Sequence, residues 1–318
     1  MIVTDAVVVG AGPVGLFQAF ELGLLEVGCH VVDALPVAGG QCALLYGEKP
    51  IYDIPGVPRT TGDGLVARLL EQLAPFDIPL HLGSPVAEIR PRADGRFEVA
   101  TAGGTRFDAG AIVVAGGVGA FLPRRLRTPG LDPLRGRSVL DALPDDVGGR
   151  RVVVAGSDGS AVATARDALA AGAASAVVLH RRAELDDGVD AVGIDRAVGV
   201  PESARDGALT LLGPDGGAVE LPFDLLIERL GLVPQLGPIA GWGLAMEKKS
   251  LAVDPARFET SVPGIHAVGD VCTYPGKQKL LLCGFHEATL AAFAIRPRPL
   301  EYTTTSKRLH RLLRAADT

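Results

Sequence analysis

The sequence predicts an α/β fold of two Rossmann-like dinucleotide-binding domains, the first interrupted by the second. Three observations predict it. A strand, a glycine-rich turn and a helix open the chain at residues 5–16, reading DAVVVGAGPVGL. A second copy of that arrangement begins at Arg151, and a strand ending in Gly269-Asp270 returns late in the chain to the first unit.

In the opening copy, residues 6–9 are apolar β-formers and predict a short buried strand. Gly10, Gly12 and Gly15 follow in G-x-G-x-x-G spacing. That spacing serves a tight turn, close backbone approach to a pyrophosphate and close helix–strand packing, in that order. The helix predicted over 16–25 offers free N–H groups and a positive dipole end to the phosphates. A second strand over 30–33 ends in Asp33, an acid placed to bind a ribose hydroxyl. Together these read as a dinucleotide site rather than a glycine-rich turn alone.

The 318 residues leave room for two domains. Richness in Val, Ala, Leu and Gly, with few aromatics, suits buried parallel strands. A net charge of −6 argues against a nucleic-acid partner. No apolar run has membrane-spanning length, and the apolar start lacks a basic region of the kind a signal peptide needs, so the expected location is the cytoplasm. Cys29, Cys42, Cys272 and Cys283 form neither C-x-x-C nor a zinc pattern. Four reduced, mostly buried thiols are expected, with no metal site and no disulfide-shuttling centre.

After Asp33, the pair Gly39-Gly40 lets a loop lie close to a ligand, and Gln41 brings an amide there. Residues 44–56 carry Tyr46 and Tyr52 among prolines and glycines and read as a rigid loop. Residues 64–76 have helical periodicity in Leu65, Leu69, Leu70 and Leu73. Strands are expected at 86–89, 97–100, 105–107 and 111–115, with Asp94-Gly95 as a hairpin turn. Residues 123–133 are a linker rich in Pro and Arg.

The second copy has a strand at 152–155, a turn from Gly156 to Ala161, a helix to Ala171 and a strand at 176–179. It ends in His180-Arg181-Arg182 instead of an acid, which suits the 2′-phosphate of NADP. Asp158 stands at the second glycine position, where a backbone must approach a pyrophosphate. Two unit charges ~4–5 Å apart at an effective dielectric of ~20 repel by roughly 3–4 kcal/mol. Gly159 offers a one-residue shift of the loop as an escape. Residues 183–202 have no readable periodicity. A hairpin is expected from 208–212 and 218–221, and a strand over 224–230 carries Glu228-Arg229, read as an edge-strand ion pair. In the returning segment Asp270 is placed to accept from a flavin's ribityl chain. The helix over 284–294 would turn its N-terminus to the pyrimidine edge of the ring. The tail carries a short basic helix over 307–314 and otherwise reads as a frayed terminus.

The finer motifs narrow the reading. They are Gly39-Gly40-Gln41, Leu45-Tyr46 through Asp53, Leu236-Gly237-Pro238-Ile239, Trp242-Gly243-Leu244, Gly269-Asp270 through Lys277, and Gly284-Phe285-His286-Glu287-Ala288. They resemble the thioredoxin-reductase-like ferredoxin/flavodoxin–NADP reductases, densely over 5–125 and 230–306. The resemblance implies an FAD domain at 1–122 and 245–318, and a shortened NAD(P)-binding-like domain at 123–244. It implies a homodimer that passes electrons from NADPH to ferredoxin or flavodoxin.

Carried over residue by residue, it places Asp33 on the adenosine ribose, Gln41 and Tyr46 at the flavin, Val86 at the adenine, and Phe121 and Asp270 along the flavin and ribityl chain. Tyr302 would cover the other flavin face from the partner subunit, and Thr304 would bond the ring. Gly156, Arg181 and Arg182 would hold NADP, although Asp186 stands where the family tends to place a further arginine. No side-chain acid or base is required, because the flavin carries the chemistry. Asp158, Asp186 and the short middle keep two other readings open: a diverged flavoenzyme acting on a small molecule without NADPH, and a non-catalytic FAD-binding protein.

Overall fold

The structure is a computed structural model that describes residues 1–182, 184–186, 189–296, 309 and 312, without the side chains of 120–123 and 232–234. The first part of the chain runs β1 Ile2–Val9, α1 Pro13–Leu24, β2 Cys29–Val32, α2 Gly40–Leu44, α3 Gly62–Leu73, β3 Leu80–His81, β4 Val86–Pro91, β5 Phe97–Thr101 and β6 Arg106–Val114. The middle holds β7 Val139–Leu140, β8 Arg151–Ala155, α4 Gly159–Ala170, β9 Ser175–His180, β10 Asp195–Val198, β11 Val200–Arg205, β12 Ala208–Leu212, β13 Ala218–Pro222 and β14 Leu225–Glu228. β15 Ile265–Ala267 and α5 Leu281–Ile295 follow. Two compact units result: Met1–Ala120 with Gln235–Thr318, and Phe121–Pro234. Among the described residues no helix is long and apolar enough to cross a membrane.

The sheet of the first unit has the order β3-β2-β1-β6-β5-β4, with β15 also on β6. β6 pairs with β1 along most of its length. On its other side Arg106–Ala109 pair with the antiparallel β5, and Ile112–Val114 pair with the parallel β15. The strands expected at 105–107 and 111–115 are therefore one. Gly110 lets β6 continue, because a Cβ there would lie 2.9 Å from the Asp5 carbonyl oxygen. Ala6, Val8, Ala111 and Val113 face one apolar cluster, and Val7, Val9, Ile112 and Val114 face another. Both faces of these central strands are thus buried, as the near-continuous apolar runs require. α3 starts where Thr61 accepts from the Gly64 N–H at 3.1 Å. The loop expected at 44–56 also contains part of α2 and a short ladder of Pro50–Ile51 on Thr60–Thr61.

The sheet of the second unit, β7-β14-β8-β9-β10, is parallel throughout, and β11-β12-β13 form a separate antiparallel meander. The stretch 183–202 resisted reading because β10 and β11 are short and largely exposed, with neither an apolar run nor clean alternation. β14 is not an edge strand, since it lies between β7 and β8. Nor do Glu228 and Arg229 pair with each other. Buried Glu228 accepts from the Leu126 N–H at 2.7 Å and ion-pairs with Arg135, while Arg229 donates to the Thr164 hydroxyl at 3.1 Å.

Candidate functional site

In the first unit the three fingerprint glycines answer different steric demands. Gly10 has φ +117°, and a Cβ on it would lie 2.4 Å from the Ala115 carbonyl oxygen. A Cβ on Gly15 would lie 1.9 Å from the Gly10 carbonyl oxygen. A Cβ on Gly12 would meet none of the described residues within 4 Å. The turn is thus closed on two sides and open on the third. Gly12 is also the N-cap of α1 and makes no side-chain cap, so among the described residues the first N–H groups of that helix have no side-chain cap. Pro13 at the first helical position removes one donor that no intrahelical acceptor would have taken.

Asp33 follows β2 and ties the turn in place. Its carboxylate accepts from the Ala11 N–H at 2.5 Å and from the Leu35 N–H at 2.7 Å. Burial pushes this carboxyl above its usual range, and the two backbone donors oppose that shift. Each oxygen keeps acceptor capacity for a hydroxyl.

The Gly39-Gly40 turn closes over the fingerprint. The Gly39 N–H donates to the Ala11 carbonyl at 2.8 Å, and a Cβ on Gly40 would lie 3.1 Å from Gly12 Cα. Gln41, expected in a loop, is the second residue of the short helix α2, and its amide reaches the turn after β6, where a Cβ on Gly117 would lie 3.1 Å from Nε2. Tyr46 is exposed, with the Lys49 ammonium 5.0 Å from its ring centre. Val86 lies in the sheet core, and its neighbour Ser84 donates its N–H to the Asp33 carbonyl at 2.7 Å.

A second group of elements meets this turn through Val14. Cβ atoms on Gly269 and Gly284 would lie 3.5 Å and 2.4 Å from the Val14 side chain, so the Gly269-Asp270 turn and the start of α5 press against the start of α1. Asp270 is half-buried and ion-pairs with no described residue. Its neighbour is held from below by Glu287, a fully buried carboxylate on α5. Glu287 accepts from the Gly269 N–H at 2.7 Å and the Tyr274 hydroxyl at 2.8 Å, and it ion-pairs with Lys277. Cys272 lies on the same carboxylate, and burial pushes its thiol up to about 12. No role was read for Glu287 from the sequence. The available signal is the one acid in the mostly apolar run of α5. Phe121's side chain, Tyr302 and Thr304 lie outside the described residues.

In the second unit the turn repeats with a different occupant. A Cβ on Gly156 would lie 2.3 Å from the Arg229 carbonyl oxygen, so this glycine is also required. Asp158 is the N-cap of α4 and Gly159 its first residue, so the loop makes no one-residue shift. The Asp158 carboxylate accepts from the N–H groups of Ser160 and Ala161 at 3.0 Å and 3.1 Å, donors that α1 leaves uncapped. A cavity of about 380 Å³ lies in front, lined among others by Ser157, Asp158, His180, Arg181, Arg182 and Asp186. Arg182 pairs with Asp186 at 2.6 Å.

Comparison with known proteins agrees with this arrangement. A family model described as pyridine nucleotide-disulphide oxidoreductase matches residues 4–292. A ferredoxin–NADP reductase of Acidovorax sp. (strain JS42) is 52% identical over 340 residues, covering 98% of this chain and 96% of the relative. One of Leptothrix cholodnii is 50% identical, covering 98% and 91%. Among solved structures, a bacillithiol disulfide reductase from Staphylococcus aureus superposes with TM-score 0.65 at 14% identity, covering 93% of this chain and 98% of that one. Thioredoxin reductase from T. acidophilum gives 0.56 at 18%, with the same coverage. At such identities these two structures speak for the fold alone.

Proposed function

Because the chain belongs to the pyridine nucleotide-disulphide oxidoreductase family, we propose that it is a ferredoxin–NADP reductase, an FAD-dependent oxidoreductase coupling NADPH to ferredoxin. The observation that carries this reading is the pair of fingerprint turns in one chain, the first with its uncapped, open Gly12 cradle beside Asp33 and Asp270. That cradle fits a pyrophosphate, and the two acids fit the hydroxyls on either side of it.

In this reading Gly10, Gly12 and Gly15 hold the FAD pyrophosphate against the start of α1, and Asp33 holds the adenosine ribose. Asp270 takes the ribityl chain, while Gln41 and Tyr46 stand at the ring. Val86 lines the adenine end through its backbone, since its side chain is in the core. Phe121, Tyr302 and Thr304 complete the flavin enclosure, with Tyr302 supplied by the partner of a homodimer. Gly156, Arg181 and Arg182 hold NADPH. When bound, FAD supplies hydride exchange with NADPH and single-electron transfer to ferredoxin or flavodoxin. The chain's own work is placement. Glu287 fixes the Gly269 turn, Val14 keeps that turn against α1, and Asp33 locks the fingerprint loop. Free cysteines are consistent with a reducing compartment, for which we assign the cytoplasm.

Anaerobic mixing of the purified yellow protein with NADPH tests the reading. Rapid bleaching of the flavin band, followed by reduction of added ferredoxin, is expected. A flavin that dithionite bleaches and millimolar NADPH does not would overturn it.

A further inference from the structure

The cavity of the second unit carries two features that pull in opposite directions. Arg181 and Arg182 follow β9, where a guanidinium can take a ribose 2′-phosphate. Yet Arg182 already has an anion, the Asp186 carboxylate at 2.6 Å. This is more than a swinging surface pair. The second Asp186 oxygen accepts from the Ser157 hydroxyl at 3.1 Å, and the Asp186 N–H donates to the Ser157 carbonyl at 2.9 Å. Ser157 directly precedes Asp158 in the fingerprint turn, so Asp186 is fixed to the floor of the nucleotide loop.

His180 adds a polar ring to the same cavity. It is 4% exposed, and the Arg182 backbone is the one polar group beside it among the described residues, so a ring nitrogen is left for a ligand.

From these contacts we infer that the second unit binds NADH as well as NADPH, and that Asp186 is the residue setting the balance. The inference rests on the functional reading above and deepens it. A 2′-phosphate entering this cavity must share Arg182 with Asp186 or displace it, and in either case lies beside a carboxylate of its own sign. A 2′-hydroxyl has the opposite relation to the same group, because a carboxylate is its natural acceptor in nucleotide sites. Arg181, which forms no ion pair among the described residues, remains for the phosphate of NADPH. The Arg182–Asp186 pair is largely exposed, so it is displaceable, and it lowers phosphate affinity without abolishing it.

The experiment is calorimetric titration of the FAD-loaded protein, its first site filled, with 2′,5′-ADP and with 5′-AMP. The wild type is expected to bind the two within about tenfold of each other. Asp186→Ala is expected to tighten 2′,5′-ADP about tenfold and to weaken 5′-AMP a few-fold, shifts of opposite sign that a general loosening of the loop does not produce. Ser157→Ala, which removes the hydroxyl anchor of Asp186 and leaves its backbone bond to residue 157, should move both ligands the same ways by less. The inference is overturned if the wild type prefers 2′,5′-ADP by more than about a hundredfold, or if both ligands shift together or not at all. Flavin bleaching by NADPH is scored separately. Its failure would remove the functional reading, whereas bleaching with an unaltered ligand ratio in Asp186→Ala would remove only this inference.

Discussion

Gly12 and Asp158 hold the same position in their respective turns. Each is the N-cap of the following helix, with φ −69° and ψ 176° for Gly12, and φ −101° and ψ 175° for Asp158. One backbone design therefore presents uncapped helix N–H groups in the first unit and a carboxylate that has taken them in the second.

Replacing that carboxylate separates its two effects. Asp158→Asn keeps a side chain that caps about as well and removes the charge; because that carboxylate is exposed and solvent screens most of its repulsion, NADP+ should bind about tenfold tighter with little change in melting temperature. Asp158→Ala also loses the cap and should cost about 1 kcal/mol of stability. Isothermal titration and thermal melts read the two effects. An Asn variant with unchanged affinity would show that the carboxylate lies off the path of the pyrophosphate.

Among the described residues Glu287 is the one ion-pair partner of the buried Lys277 ammonium, which also lies 5.6 Å from the centre of the Tyr274 ring. Glu287→Ala strands that charge together with the Tyr274 hydroxyl and should cost about 3–5 kcal/mol in urea unfolding, with loss of FAD on gel filtration. Glu287→Gln retains acceptors for Gly269 and Tyr274 and should fall between. A Glu287→Ala protein within about 1 kcal/mol of wild type would contradict the network described.

Glu21, half-buried on α1, has its carboxyl pushed up to about 7 by burial. A native value above the unfolded one means that folding takes up a proton between the two. This group therefore costs stability above pH 7, and the cost fades as pH falls through 7 towards the unfolded value. Because the side chain remains partly in water, Glu21→Gln should stabilise the protein by about 1 kcal/mol at pH 8.5 and by nothing near pH 4. Equal gains at both values would contradict the sign.

Thiol titration tests the burial of the cysteines. Cys29 and Cys272 are buried with thiols pushed up to about 12, while Cys42 and Cys283 are half-buried. At pH 8 an aromatic disulfide reagent should react with at most two thiols in the native protein and with four in denaturant. The Cys42→Ser, Cys283→Ser double variant should show none until unfolded.

Legibility followed the range of the interactions. Gly10, Gly12 and Gly15 were readable because their constraints lie within one turn and the strand beside it, and Asp33 because a strand end is a local event. Asp158 was read only as a charge facing phosphate, although an acid two residues before Ser160 at a helix start is also a local capping signal. Glu287 was opaque because its donors sit on a separate turn that only tertiary packing brings beneath α5. Glu228 was misread for the same reason. Its sequence neighbour Arg229 faces Thr164, and its true partner Arg135 arrives from far along the chain.

The arrangement of β6 bears on how the protein is made. The second unit is continuous from Phe121 to Pro234, whereas the outer edge of β6 at Ile112–Val114 has no parallel partner until Ile265–Ala267 has left the ribosome. During synthesis the middle of the chain can close first while an apolar strand edge of the flanking unit waits open. That interval is where a nascent chain is exposed to wrong strand pairing, and where a holding chaperone would have most to protect.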